Sequence, residues 1–242
     1  MRDHNMKRRV LWIAALLFAV SMTVTAGDNA GSSQPTPLQI KQKGTYIVLF
    51  SEQGINAPKW DKLWLSEVAK YVGQDKAQET VDYLKSTVGG SVIGSEATAK
   101  YGDYTNDNTD FSGKFQFDCH FRNGLVKLIF NGKNITGLDA NGRKVFSHNY
   151  SEVGYNKVFD GHEYKSDDDN KDEFTYFVSL SDNPIDTYHI EFRYGSDLTQ
   201  LTEYRTGKYA YWMCAGVREG NDADCDGAIK LFVKENLSKK SK

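Results

Sequence analysis

Between Phe115 and Tyr194 the sequence keeps returning to apolar residues at every second position. That spacing puts one face of an extended chain in a core and leaves the other polar, so it excludes most helical architectures. Phe115, Phe117, Cys119 and Phe121 alternate up to Asn123-Gly124, a strong two-residue hairpin signal. Pairing Arg122 with Leu125 sets Phe121 opposite Val126, Cys119 opposite Leu128 and Phe117 opposite Phe130, three apolar pairs. A second turn, Asn141-Gly142, sets Leu138 against Val145 in the same way. Phe174–Leu180 and Tyr188–Tyr194 read as two further strands joined across Asp182-Asn183-Pro184. Strands that follow one another through hairpins form an up-and-down antiparallel sheet. The predicted fold is therefore mainly β, a small barrel with its edges closed and helices at its flanks.

The helices come from a change of period. Trp60, Trp64, Val68 and Val72 recur every four residues behind Pro58, and Ala77, Val81, Leu84 and Val88 continue the stripe until Gly89-Gly90. Ile229, Phe232, Val233 and Leu237 predict a last helix over residues 228–237. Thr45–Phe50 reads as an edge strand or a tether. At the start, Lys7, Arg8 and Arg9 precede an apolar run from Val10 to about Val24, then Val24-Thr25-Ala26. This is the pattern of a cleavable signal peptide over residues 1–26, so the expected location is secreted or periplasmic. Residues 27–44 read as a flexible leader and residues 45–242 as one domain.

After residue 26 the chain holds 26 basic and 31 acidic residues, a net charge near −5 with histidines neutral. An acidic balance argues against a nucleic-acid surface. No G-x-S-x-G, no H-E-x-x-H and no evident Cys/His pair is present, so an enzyme is the least supported class. In an oxidising compartment Cys214 and Cys225, the cysteines closest in sequence, are a possible disulfide, and Cys119 reads as a small buried residue. Asp222, Asp224 and Asp226 open like a calcium loop, but Val233 stands where the bidentate Glu is needed. They read instead as acids at a helix N-terminus.

The most informative stretch is Asp186–Leu198. Its strand puts Tyr188, Ile190, Phe192 and Tyr194 on one face and His189, Glu191 and Arg193 on the other. That polar face either meets water or forms one wall of a ligand site.

Four segments in order resemble the ZinT family of exported zinc-binding proteins: Trp60-Asp61-Lys62-Leu63-Trp64, the hairpin at Asn123-Gly124 with Leu138–Gly142 behind it, Ser181-Asp182-Asn183, and His189-Ile190-Glu191-Phe192 with Gly195 and Asp197. The resemblance implies a lipocalin-like (calycin) barrel, zinc as the bound ion and a metal-uptake ABC transporter component as a partner. It also implies three histidine ligands, of which only His189 matches. Asn183 and Thr187 occupy the other two positions, and neither is a normal zinc ligand. If the strand faces meet at one barrel mouth, His120 and Asp118 join His189 and Glu191 to offer two imidazoles and two carboxylates. His148 and His162 read as loop or surface residues. The function expected is capture of zinc or another divalent cation in support of metal uptake. The alternative is a lipocalin-like binder of a small apolar ligand that has lost the metal site.

Overall fold

The computed structural model describes residues 34–88, 119–157, 160–169, 171–203, 207–209 and 212–238. The signal-peptide reading, Asp118 and the Phe115–Phe117 part of the first predicted strand lie outside these residues. A short helix α1 (Pro37–Lys41) leads into β1 (Gly44–Val48). A 3-10 turn at Pro58–Trp60 opens helices α2 (Asp61–Val72) and α3 (Gln74–Val88). Five strands follow in a meander: β2 (Lys127–Asn131), β3 (Asn134–Leu138), β4 (Lys144–Asn156), β5 (Gly161–Ser166) and β6 (Tyr176–Leu180). The chain ends with β7 (Ile190–Gly195), α4 (Leu198–Thr202), β8 (Cys214–Arg218) and α5 (Asp222–Leu237).

The eight strands close into an antiparallel barrel in sequence order. β1 is the closing strand. It pairs with β2 from Gly44↔Phe130 to Ile47↔Lys127 and with β8 from Tyr46↔Arg218 to Val48↔Gly216. Thr45–Phe50 is therefore not an edge or a tether, because both of its backbone edges find partners and the barrel leaves none open. The first predicted hairpin is corrected by the same strand. Asn123 and Gly124 do turn with positive φ, and Leu125 N–H donates to Arg122 O at 3.2 Å. The arms then part: Leu128 faces Tyr46 rather than Cys119. Residues 119–122 instead run beside β8, where Ala215 N–H donates to Cys119 O and Trp212 Nε1 donates to His120 O. The second hairpin keeps its expected register over Asn134↔Asn149 to Gly137↔Phe146, and a bulge then shifts Leu138 onto Lys144.

Aromatic rings fill the barrel interior. Tyr46 meets Phe130 at 5.4 Å, Phe130 meets Phe192 at 5.6 Å, and Phe177 meets Tyr194 at 5.2 Å between ring centroids. Each such pair contributes about 0.5–1.5 kcal/mol beyond its buried area. These rings occupy the space in which the alternative function would hold an apolar ligand. The helices make a second core against the outer wall of β1 and β8. Trp64, Val68, Val81 and Leu84 from α2 and α3 pack with Ile229 and Val233 from α5 over Ile47, Ala215 and Val217. The expected helical stripes are thus the buried faces. α5 starts six residues earlier than Ala228, at a cap where Asn221 accepts from Asp224 N–H. The acids of its first turns pair with Lys59, Arg218 and Lys230, as a helix N-terminus and not a calcium loop.

Cys214 and Cys225 are not bridged. Cys214 points into the ring-filled interior and Cys225 lies in the helix-side core, so the barrel wall separates the two thiols.

Candidate metal centre

The site grows out of the connection between β6 and β7. Its turn is built by two residues that the family pattern assigns to ligands. Asn183 is buried, and its Oδ1 accepts from Ile185 N–H and Asp186 N–H while its Nδ2 donates to Asp186 Oδ2 at 3.0 Å. Its carbonyl accepts from Thr187 N–H at 2.9 Å. Thr187 Oγ1 lies 2.8 Å from Asn183 O and 2.9 Å from His189 O. Asn183 and Thr187 hold the loop, and their polar atoms are committed to it. From the other side Gln42, a buried residue just after α1, anchors the start of the loop. Its Nε2 donates to Ser179 Oγ at 2.8 Å and to Asp182 O at 3.0 Å.

This scaffold brings Asp182, His189 and Glu191 together, with one donor atom from each lying within 4.8 Å of the others. Glu191 sits opposite Ala215 in the β7–β8 ladder, and Ala215 belongs to the helix-side core. The carboxylate is therefore on the outer face of the barrel, while Ile190, Phe192 and Tyr194 fill the interior. Water does not cover this polar face. Glu191 is 8 % exposed and Arg193 0 %, with the guanidinium donating to the carbonyls of Leu201 and Tyr209. The simplest sequence expectation, a polar face open to solvent, fails because α4 and the residues around Tyr209 fold over it.

The imidazole is oriented for coordination. His189 Nδ1 lies 2.7 Å from Thr187 O, so Nδ1 carries the proton and donates it to that carbonyl. Nε2 is left to face Glu191 Oε1 at 3.5 Å. A backbone carbonyl that fixes the tautomer in this way is the usual outer support of a metal-binding histidine. Asp182 is the third corner. Among the described residues its carboxylate makes no hydrogen bond and no ion pair.

Charge is concentrated here. Burial pushes the Asp182 carboxyl up to about 7, Glu191 adds to the effect, and His189 opposes it. Burial alone would discharge His189. Its hydrogen-bonding contact with Glu191, the charges of Glu191 and Asp182, and the Thr187 carbonyl outweigh burial and raise it to about 9. The centre therefore holds protons that a cation would replace.

The donor set fits zinc. Imidazole nitrogen and carboxylate oxygen are both ordinary zinc donors, and two ligands on a tetrahedral zinc stand about 3.4 Å apart, given bonds of about 2.0–2.1 Å. The Nε2–Oε1 separation of 3.5 Å already matches one edge of that polyhedron. One nitrogen with carboxylates also admits manganese and other divalent ions.

Of the other predicted site residues, His120 is placed elsewhere, and Asp118 lies outside the described residues. His120 lines an open depression with Ile47, Val48, Phe50 and Val126 and is not part of the three-residue cluster, so the two strand faces do not share one barrel mouth. The reason is the lost hairpin: residues 119–122 pack beside β8 instead of extending along β2. His148 and His162 are on β4 and β5 rather than in loops, with Nδ1 at 2.6 Å from Asp168 and 2.8 Å from Glu152 respectively. Asp182 was the ligand candidate missed in the sequence. An acid at the end of one strand, ahead of a short turn into a strand that opens His-x-Glu, is the signal that points to it.

No family model matches the chain, and no curated protein matches it. Among solved structures, the Zn(II)-bound ZinT-like domain of Streptococcus pneumoniae AdcA is similar with a TM-score of 0.45 and 12 % identity, over 88 % of this chain and 95 % of that one. Zn(II)-bound AdcA from the same organism gives 0.44 and 10 %, over 79 % of this chain. The chain spans 34 % of that protein's length.

Proposed function

We propose that this protein captures a divalent cation, zinc first, at Asp182, His189 and Glu191. The observation that carries the reading is the geometry of His189. Its Nδ1 is tied to a backbone carbonyl, its Nε2 faces the Glu191 carboxylate, and the Asp182 carboxylate, which has no hydrogen-bond donor of its own, lies within 4.8 Å in the same cluster. A plain His–Glu ion pair accounts for Glu191 and leaves Asp182 as a half-buried acid raised toward neutrality, which costs stability unless a cation is met there. The N-terminal sequence pattern supports export, with residues 45–242 acting as one binding domain. No described helix is long and apolar enough to cross a membrane. In this reading the protein holds metal outside the cytoplasm and passes it to a metal-uptake ABC transporter. It binds rather than catalyses.

Metal analysis of protein purified without chelator, followed by zinc titration calorimetry, tests the proposal. Wild type binds one zinc per chain. His189→Ala loses that binding, and Asp182→Asn and Glu191→Gln each weaken it. A wild type that takes up no divalent ion would overturn the reading, and so would a His189→Ala variant that binds as well as wild type.

A further inference from the structure

Alternation along Asp186–Leu198 puts Tyr188 on one face with Ile190, Phe192 and Tyr194, and those three fill the barrel interior. Tyr188 does not join them. It lies ahead of β7, is 38 % exposed, and rests its ring against Gly227 of α5. A Cβ at Gly227 would stand 2.5 Å from Tyr188 Cγ and Cδ1 and 2.6 Å from Cε1, so the absence of a side chain there is what seats the ring. α5 packs on the outer wall of the barrel, so Tyr188 has been turned from the interior to the outside. Its backbone makes the change. Tyr188 has φ +65°, the left-handed region. The other described non-glycine residues with positive φ are Asn123 and Asp160, types that tolerate it, whereas a bulky aromatic residue rarely does.

The same turn joins two groups that a regular strand keeps apart. In a strand the side chain stands out of the sheet while the carbonyls lie in its plane, so an imidazole does not reach the carbonyl two residues back. Here His189 Nδ1 lies 2.7 Å from Thr187 O, and Thr187 Oγ1 lies 2.9 Å from His189 O. The contact that fixes the Nδ1 proton and leaves Nε2 to face Glu191 thus spans the left-handed residue. Backbone in so sparsely populated a conformation persists only where its surroundings hold it, and such residues gather at functional sites.

We propose that Tyr188 is the positioning residue of this centre: held left-handed by its seat on Gly227, it turns the chain so that His189 donates Nδ1–H to Thr187 and aims Nε2 at the cation. The proposal rests on the reading of Asp182, His189 and Glu191 as a metal site. With the imidazole already oriented, a cation has less to order on binding, which favours affinity. The centre is thereby coupled to α5, which supplies none of the three donors.

The test uses the whole chain, with zinc affinity measured by competition against a chromophoric chelator and the His189 Nδ1–H proton followed by NMR in zinc-loaded protein. Tyr188→Phe keeps the ring and should match wild type in both readouts. Tyr188→Asn removes the ring but tolerates the left-handed backbone, so it should weaken zinc only modestly and keep the hydrogen-bonded proton. Tyr188→Val removes the ring and, being β-branched, resists positive φ, so zinc affinity should fall about ten- to a hundredfold and the proton signal should be lost. Circular dichroism and apo melting temperature establish that each variant folds. If Tyr188→Val matches wild type in both readouts, the left-handed turn does not position His189 and the proposal falls. If Tyr188→Asn and Tyr188→Val weaken zinc equally and both keep the proton, the ring acts through packing alone, and the proposal falls again. Where Tyr188→Val does not fold, Gly227→Ala makes the test from the helix: it displaces the ring, and zinc affinity equal to wild type overturns the proposal. If wild type binds no zinc, the metal reading falls and this proposal with it.

Discussion

At the scale of single residues, His189 sets the pH behaviour of the metal-free protein. Its folded pKa of about 9 stands above the ordinary histidine value of about 6.5, so the fold holds this proton more tightly than the unfolded chain does. The stabilisation is therefore complete below about 6.5 and is lost as pH rises through about 9. Asp182, raised to about 7, acts in the same direction over a lower range, with its contribution lost as pH rises through 7. Urea unfolding of apo protein from pH 6 to 10 should show falling stability, and His189→Gln should flatten the upper part of that slope. Zinc reverses the preference because it needs the deprotonated donors. Binding at pH 7 should release protons, measurable as a dependence of the calorimetric heat on the ionisation enthalpy of the buffer. Asn183 and Thr187 yield a prediction opposite to the one the family pattern suggests. Converting both to histidine removes the side-chain hydrogen bonds that build the turn, each worth about 1 kcal/mol. The double variant should melt earlier and bind zinc no more tightly than wild type. Tighter binding at unchanged stability would show that these side chains can reach the cation after all.

At the scale of elements, the contact of α5 with the turn before β7 is decided by one glycine. In a free helix, Gly227→Ala would be favoured by about 1 kcal/mol. Here the new methyl meets the base of the Tyr188 ring rather than its far end, and Tyr188 already sits at φ +65°, so the backbone that carries the ring must shift to make room. Gly227→Ala should therefore destabilise the protein, and adding Tyr188→Ala should return much of the loss. Chemical denaturation of the two single variants and the double variant measures this coupling. If Gly227→Ala alone is stabilising, the contact between helix and strand is looser than described.

For the molecule as a whole, two cores share one wall. The rings inside the barrel and the aliphatic layer under α2, α3 and α5 meet at β1 and β8, so damage to either core should unfold the protein as one unit. Phe177→Ala should cost about 3–5 kcal/mol and lower the single denaturation midpoint without splitting it. The same wall keeps the thiols apart. All three cysteines are buried, and desolvation pushes Cys225 up to about 11. A thiol reagent such as DTNB should react with them only as fast as the protein unfolds, and all three should react at once in denaturant.

Much of the fold was legible in the sequence because it is written in local periods. Alternation marked β6 and β7, the four-residue stripes marked α2, α3 and α5, and Asn-Gly pairs marked two turns that form where expected. The partner of each strand was not always local. Asn123-Gly124 determines its own turn, but β1, some eighty residues earlier, competes for β2 and wins, because only that pairing closes the barrel and satisfies both edges of β1. His189 and Glu191 could be read as one face of a strand from their spacing alone. That this face lies outside the barrel and beside Asp182 depends on the closure of the sheet and on a turn held by Asn183, Thr187 and Gln42. Periodicity assigns a residue to a face; which groups share the space in front of it is decided by contacts between distant parts of the chain.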